Sequence, residues 1–381
     1  MTAKALLILC LPVALASHGL ASPALIAPGS VWLDDRGQPI QAHGGGITEA
    51  GGTYYWFGED RSKDNLPSQR CVSCYSSEDL AHWKFCGQAL RITDPEGFGP
   101  KWILERPKVF ANPRTGKFVM YMHIDGPVAG MEGDYRLARV GVAVSDRIDG
   151  PYRYVRSFRP LGMESRDIGQ FVDDDGSAYL IFESRPTRSF VIARLSGDYL
   201  GVDSKVCQVD ASLEGGAIVH YQGLYYAIGS HLTGWDPNPN VYATSRSLAG
   251  PWGEFRDIAP PGTKTYGSQS SFLLKVSGSR TTTVIFMGDI WKPQAQWDSR
   301  YLWMPVVIGD GRLSLPKPGP WSIDVETGQA AIENSFAGLP PLSGFTIKFT
   351  RPGGGMDDDL DRAPWQSYSQ LRIGDIGWPS R

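Results

Sequence analysis

Glu214 stands at the head of a stretch that reads as strand, turn, strand. Ser212-Leu213-Glu214-Gly215-Gly216-Ala217-Ile218-Val219-His220-Tyr221 leads to a tight turn at Gln222-Gly223, and an aromatic-rich second strand follows. The two glycines after the carboxylate are expected to leave room for a bulky ligand. Similar hairpins recur along the chain, each with a polar group at the matching place. His43 precedes Gly44-Gly45-Gly46-Ile47, and Glu105 precedes Arg106-Pro107-Lys108-Val109. Asp167 follows Ser165-Arg166, and Gln269 lies in Gly267-Ser268-Gln269-Ser270-Ser271-Phe272. A lone charge before a strand is an ordinary solvated residue, but five polar groups in register point to a shared ligand site. Carboxylates gathered around one pocket suit glycoside hydrolysis. One of them must keep its proton for the leaving oxygen, and a neighbouring carboxylate raises its pKa to that end.

The elements that would position these groups repeat. A glycine followed by an aromatic or β-branched strand occurs at Gly52-Thr53-Tyr54-Tyr55-Trp56-Phe57, Gly116-Lys117-Phe118-Val119-Met120-Tyr121, Gly176-Ser177-Ala178-Tyr179-Leu180-Ile181-Phe182 and Gly223-Leu224-Tyr225-Tyr226-Ala227-Ile228. A looser copy runs from Arg280 to Met287. The strands that follow also match one another: Val72 to Trp83, Val140 to Tyr152 and Asn240 to Trp252 each pass through a Ser-rich turn to an aromatic. Small antiparallel sheets repeating every roughly 45–65 residues predict an all-β fold, a five-bladed β-propeller, over residues 23–334. In such a fold the innermost strands line a central channel, so the polar groups before them converge on one face. No long amphipathic helix competes with this reading. Residues 335–381 read as a closing strand and a tail.

Of the 381 residues, 41% are hydrophobic and 20% charged, an ordinary globular balance with ample core material. The net charge of -3 gives no basic footprint for nucleic acid. With 12 Trp, 16 Tyr and 15 Phe, the chain suits a carbohydrate surface, since sugar C–H faces lie on aromatic planes. Lys4, the apolar run Ala5 to Ala16, and small residues up to Ser22 read as a signal peptide over residues 1–22. This predicts a secreted or periplasmic protein, and no later stretch is apolar for long enough to span a membrane. Export favours a disulfide, for example Cys74 to Cys86 across a hairpin, with free buried thiols as the alternative; Cys71-x-x-Cys74 lacks a second ligand pair for zinc. Asp173-Asp174-Asp175-Gly176 resembles the start of a calcium loop but has Ser184 where the distal Glu belongs, so a hairpin turn is expected. No metal or cofactor is expected, and no nucleotide-binding pattern occurs.

The layout resembles glycoside hydrolase family 43, and its motifs resemble the exo-β-1,3-galactanase (galactan 1,3-β-galactosidase) branch. These motifs are Ala42-His43-Gly44-Gly45-Gly46-Ile47 with Tyr54-Tyr55-Trp56-Phe57-Gly58-Glu59, Glu105-Arg106-Pro107-Lys108-Val109, Ser165-Arg166-Asp167, Thr233-Gly234-Trp235, Ser268-Gln269-Ser270, and Asp298-Ser299-Arg300-Tyr301. The resemblance implies an inverting, exo-acting glycosidase with Glu214 as general acid and Asp167 tuning and orienting it. Much of the wider family uses a first-blade Asp as base, whereas this chain, like the galactanase branch, has His43 and three glycines there. The resemblance places Glu105 and Gln269 on the water side: Gln269 holds the water, and Glu105 binds the sugar or assists as base. Glu59, Tyr135, Thr233, Trp235, His43 and Arg300 are the implied sugar contacts. The expected partner is a plant-type galactan or arabinogalactan oligosaccharide. An arabinofuranosidase or β-xylosidase of the same family is one alternative, and a non-catalytic glycan-binding propeller is another.

Overall fold

A computed structural model describes residues 23–62, 70–92, 102–132 and 134–333. The expected signal peptide and the expected closing strand and tail past residue 334 lie outside the described residues. Blade one comprises β1 (His43–Ala50), β2 (Thr53–Glu59), β3 (Arg70–Ser77) and β4 (Lys84–Ile92). Blade two comprises β5 (Ile103–Ala111), β6 (Phe118–Asp125), β7 (Arg139–Ser145) and β8 (Arg153–Phe158). Blade three comprises β9 (Arg166–Val172), β10 (Ala178–Ser184), β11 (Ser189–Leu195) and β12 (Val202–Val209). Blade four comprises β13 (Leu213–Tyr221), β14 (Leu224–His231), β15 (Val241–Ser245) and the short β16 (Arg256–Asp257). Blade five has three strands, β17 (Gln269–Ser277), β18 (Thr282–Ile290) and β19 (Arg300–Pro305). Two small hairpins follow, β20 (Val307–Gly309) with β21 (Arg312–Ser314), and β22 (Trp321–Asp324) with β23 (Gln329–Ile332).

The first strand of each blade packs on the first strand of the next, and β17 returns to β1. The ring is an all-β, five-bladed propeller, as expected. The segment before blade one meets the last hairpin where Ile26 and Trp321 exchange backbone hydrogen bonds of 2.7 and 3.0 Å. Because each blade is sandwiched between two neighbours, both faces of its middle strands are buried, and β10 is buried at all seven positions. The core divides accordingly. One apolar layer fills the gap between blades one and two, another that between two and three, and a third that between three and four. The largest layer joins blades four, five and one, where Trp56 meets Trp303 edge-on at 4.5 Å and Tyr301 at 4.7 Å. Aromatic richness is thus largely a core property: Trp56, Trp102, Trp303 and Trp321 are fully buried.

Several local expectations are met and two are corrected. Tyr221 pairs with Leu224, leaving Gln222 (φ 50°) and Gly223 (φ 74°) as a two-residue hairpin turn. Asp173 to Gly176 forms the β9–β10 turn, closed by a 2.9 Å bond from the Gly176 N–H to the Asp173 carbonyl. The expected Cys74–Cys86 disulfide is absent: none of Cys71, Cys74, Cys86 and Cys207 is in a disulfide, and Cys74 and Cys86 are hydrogen-bonded neighbours across an irregularity in the β3–β4 ladder. The glycines after Glu214 do not make room for a ligand. A Cβ on Gly215 would fall on the Ser270 carbonyl oxygen, and one on Gly216 would strike the Phe190 ring. Backbone packing between blades requires them.

Candidate active site

Each inner strand breaks its ladder at the residue that matters. Register shifts occur between His43 and Gly46, between Glu105 and Lys108, between Glu214 and Ala217, and between Ser270 and Phe272. In β9 the shift lies opposite Glu183, beside Asp167. Such bulges re-aim side chains that a regular strand would send to alternate faces. Three of the residues after the functional one are left-handed: Gly44 (φ 57°), Arg106 (φ 54°) and Gly215 (φ 61°). At the mouth of the channel a cavity of about 200 Å³ is lined by Glu59, Arg61, Glu105, Arg106, Tyr135, Asp167, Arg185, Glu214, Gly234, Trp235, Gln269 and Trp291.

One wall belongs to blades three and four. Glu214 is buried; its Oε1 accepts a 2.8 Å hydrogen bond from Gln269 Nε2, and its Oε2 lies 3.5 Å from Arg185 Nη2. Burial, reinforced by the charges of Asp167 and Glu183, pushes its carboxyl up to about 9, against the opposing pull of Arg106 and Arg185. Glu214 therefore holds its proton at neutral pH. Asp167 forms a 2.8 Å ion pair with Arg106 Nη2, which keeps a negative charge near Glu214.

The other wall belongs to blades one and two. Glu105 Oε1 accepts 2.8 Å from the Tyr135 hydroxyl and 3.4 Å from Arg61 Nη2, and Oε2 lies 3.3 Å from His123 Nδ1. Although burial opposes ionisation, His123, Arg61 and Tyr135 together hold the Glu105 carboxyl down to about 2. His123 is itself pushed up to about 10: burial works against its charge, but Asp125 at 3.1 Å and Glu105 outweigh it. Glu59 Oε1 accepts the Arg106 backbone N–H at 2.9 Å, and its Oε2 accepts Arg61 Nε at 2.8 Å. Burial nevertheless raises its pKa.

Between the walls, Gln269 Oε1 accepts from Arg106 Nη2 at 2.6 Å and from Trp291 Nε1 at 2.8 Å. Below the pocket Lys108 is fully buried and donates 2.7 Å to the Gly44 carbonyl, tying the β1 bulge to that of β5. Glu105, His123 and Asp167 each bring a possible metal-ligand atom within 4.8 Å of the others, but His123 is engaged by Asp125 and Asp167 by Arg106. His123 and Arg106 are the counter-charges that Glu105 and Asp167 already have. On the opposite side, Asp173, Asp174 and His220 form a similar group, with Lys275 on Asp174 at 2.8 Å.

The structure thus brings Glu59, Glu105, Tyr135, Asp167, Glu214, Trp235 and Gln269 together and places three expected sugar contacts elsewhere. His43 is wholly buried, bonded through Nδ1 to Asp289 at 3.0 Å and stacked on Tyr301 at 4.8 Å, so it is a structural residue beneath the cavity. Thr233 does not line the cavity; its hydroxyl accepts 2.7 Å from Asn238 Nδ2 within its own loop. Arg300 pairs with Asp298 and lines a separate cleft beside Trp297. Sequence reasoning missed Arg61, Arg106, Arg185 and Trp291. A signal for three of them exists. The ladder partners of the inner-strand residues include Glu59, Glu183 and Asp289, and two residues beyond each, just past the end of the strand, stand Arg61, Arg185 and Trp291.

Comparison with known proteins agrees with this geometry. Residues 42–265 match the model of glycosyl hydrolases family 43. An exo-β-1,3-galactanase from Phanerochaete chrysosporium, solved with β-1,3-galactotriose, is 39% identical with a TM-score of 0.74, covering 81% of this chain and 70% of that one. An exo-β-1,3-galactanase from Clostridium thermocellum is 36% identical with a TM-score of 0.73, covering 81% and 68%. A xylosidase/arabinosidase from Humicola insolens is 41% identical over 70 residues, which span 18% of this chain and 19% of that protein. With a matching model over more than half its length and a carboxylate-lined propeller mouth, the chain belongs to the glycosyl hydrolases of family 43.

Proposed function

We propose that the protein is an inverting, exo-acting glycosidase that releases galactose from β-1,3-galactan, the backbone of arabinogalactan. The observation that carries this reading is a pair of buried carboxyls across one cavity, Glu214 pushed up to about 9 by its surroundings and Glu105 held down to about 2. A neutral carboxyl donates its proton to the glycosidic oxygen as the bond breaks, and an ionised one on the far wall accepts from a sugar hydroxyl or from the attacking water. Burial and the charge of Asp167 keep Glu214 neutral until the leaving oxygen draws the proton, because a second ionised carboxylate in the same cavity would be repelled. Trp235, 38% exposed and edge-on to Trp291 at 5.1 Å, offers the apolar face on which a pyranose ring rests. The galactose specificity rests on the likeness to the two galactanases. Export rests on the N-terminal lysine and apolar run, and sequencing the N-terminus of the mature protein tests it.

The decisive experiment is product analysis on β-1,3-galactan and a panel of aryl glycosides, with wild type beside Glu214→Gln. Free galactose from the galactan, lost in the variant, supports the reading. Arabinose or xylose instead keeps the acid and overturns the substrate. Binding to galactan without turnover makes the propeller a glycan-binding module.

A further inference from the structure

The Gln269 amide has chemically different ends, and its orientation decides which Glu214 oxygen can carry a proton. Its Oε1 accepts from Arg106 Nη2 at 2.6 Å and Trp291 Nε1 at 2.8 Å. Guanidinium and indole nitrogens only donate, so turning the amide over would set an –NH2 group against two donors. The carbonyl end is therefore fixed, and Nε2 must face Glu214, where it donates to Oε1 at 2.8 Å. An oxygen receiving an N–H at that distance cannot point its own proton along the same line. A neutral Glu214 then carries its proton on Oε2. That oxygen lies 3.5 Å from Arg185 Nη2, which cannot accept a proton, so the O–H turns to the cavity.

We propose that Trp291, acting with Arg106 through Gln269, is a positioning residue for proton delivery: by locking the amide it selects Oε2 of Glu214 as the oxygen that hands its proton to the leaving group. This deepens the glycosidase reading and rests on it. Arg106 also pairs with Asp167 at 2.8 Å and donates to the Ser270 carbonyl at 2.9 Å, so substituting it would disturb the whole site. Trp291 is separable. Its ring packs against Trp235 at 5.1 Å and His43 at 5.5 Å, and phenylalanine keeps an aromatic ring at this place while removing the N–H. The charged groups facing Glu214 remain unchanged in that variant: Asp167 from β9, Glu183 and Arg185 from the end of β10, and Arg106 from β5.

In Trp291→Phe only Arg106 still holds the amide oxygen, so the turned amide, with its carbonyl toward Glu214 Oε1 and accepting the acid's proton there, gains population. That state favours the neutral acid but misdirects its proton. The expected result is a kcat lower by about tenfold with KM within about twofold, and an alkaline limb of the pH–kcat profile moved to higher pH. A merely structural Trp291 would lower activity without moving the limb, and that outcome overturns the proposal. A second measurement needs neither substrate nor turnover: the side-chain amide of Gln269 in 15N-glutamine-labelled protein, identified by its loss in Gln269→Glu. Protected amide protons that titrate with Glu214 in wild type, and exchange at least about tenfold faster in Trp291→Phe, support the lock. Rapid exchange in wild type sinks it even if Trp291→Phe fails to fold. A locked amide in a protein that cleaves no glycoside refutes the glycosidase reading and the delivery role while leaving the lock standing.

Discussion

Glu214 and Glu105 face each other across one cavity, at 5% and 8% exposure, yet their carboxyls are pushed opposite ways, up to about 9 and down to about 2. Desolvation is common to both and would push each carboxyl up. Their partners make the difference. Glu214 receives one neutral amide N–H and looks onto Asp167 and Glu183, whose charges outweigh the opposing pull of Arg106 and Arg185. Glu105 sits among His123, Arg61 and the Tyr135 hydroxyl. The lesson is that burial sets the stakes while the donors and charges around the carboxyl decide the sign. A propeller suits this because each wall comes from different blades and can be tuned separately.

The largest expected effect breaks the symmetry outright. Glu214→Gln removes the proton donor and lowers kcat by about a thousandfold, yet it leaves stability at neutral pH unchanged or improved, because it replaces a strained carboxyl. Glu105→Gln leaves His123 with Asp125 alone and Arg61 with Glu59 alone, and costs about 2 kcal/mol of stability. Thermal denaturation of the two variants side by side reads this, and equal losses would show that the walls are not electrostatically distinct.

The same contrast governs pH. Glu214 has a folded value of about 9 against an ordinary 4.5, so the native state holds a proton that the unfolded chain has released. Its contribution is fully present below 4.5 and is lost as pH rises toward 9, by up to about 1.4 kcal/mol per pH unit. Glu105, at about 2 against 4.5, does the reverse: its contribution is present above 4.5 and is lost as pH falls through 2. Denaturant midpoints across pH should show Glu214→Gln flattening the alkaline decline and leaving the acid side alone. For activity, Asp167→Asn removes the charge that keeps Glu214 neutral. The alkaline limb of kcat/KM should fall by about one pH unit, and an unmoved limb would assign the tuning to burial alone.

How far these walls were legible in the sequence follows from the repeat. The alternation of short aromatic strands and Gly turns marks the blades, and the opening residues of the first strands include Glu105, Asp167, Glu214 and Gln269, all of which line the cavity. His43 occupies the matching position but is claimed by Asp289 on the neighbouring blade, a long-range bond that no local pattern carries. Arg106 was hidden for a geometric reason. In a regular strand Glu105 and its neighbour face opposite ways, and only the left-handed Arg106 in the β5 bulge brings both to the cavity. The glycines after Glu214 were visible as residues but not as packing, because the Ser270 carbonyl and Phe190 ring that exclude a Cβ come from other blades.

The smallest effect sharpens the comparison most finely. Tyr135 is 38% exposed, and its hydroxyl donates 2.8 Å to Glu105 Oε1, the oxygen that Arg61 also reaches at 3.4 Å. In Tyr135→Phe that oxygen keeps Arg61, and Oε2 keeps His123, so Glu105 stays ionised at neutral pH with slightly less support. The expected loss is about fivefold in kcat/KM, the equivalent of one neutral-to-charged hydrogen bond, with the acid limb moving up by a few tenths of a pH unit. Glu214 belongs to the other wall, so the alkaline limb should not move. A shift of both limbs would mean that the two carboxyls titrate as one coupled pair rather than as two separately tuned groups. An acid limb that stays in place would show that His123 and Arg61 suffice, and that Tyr135 serves the sugar instead of the carboxylate.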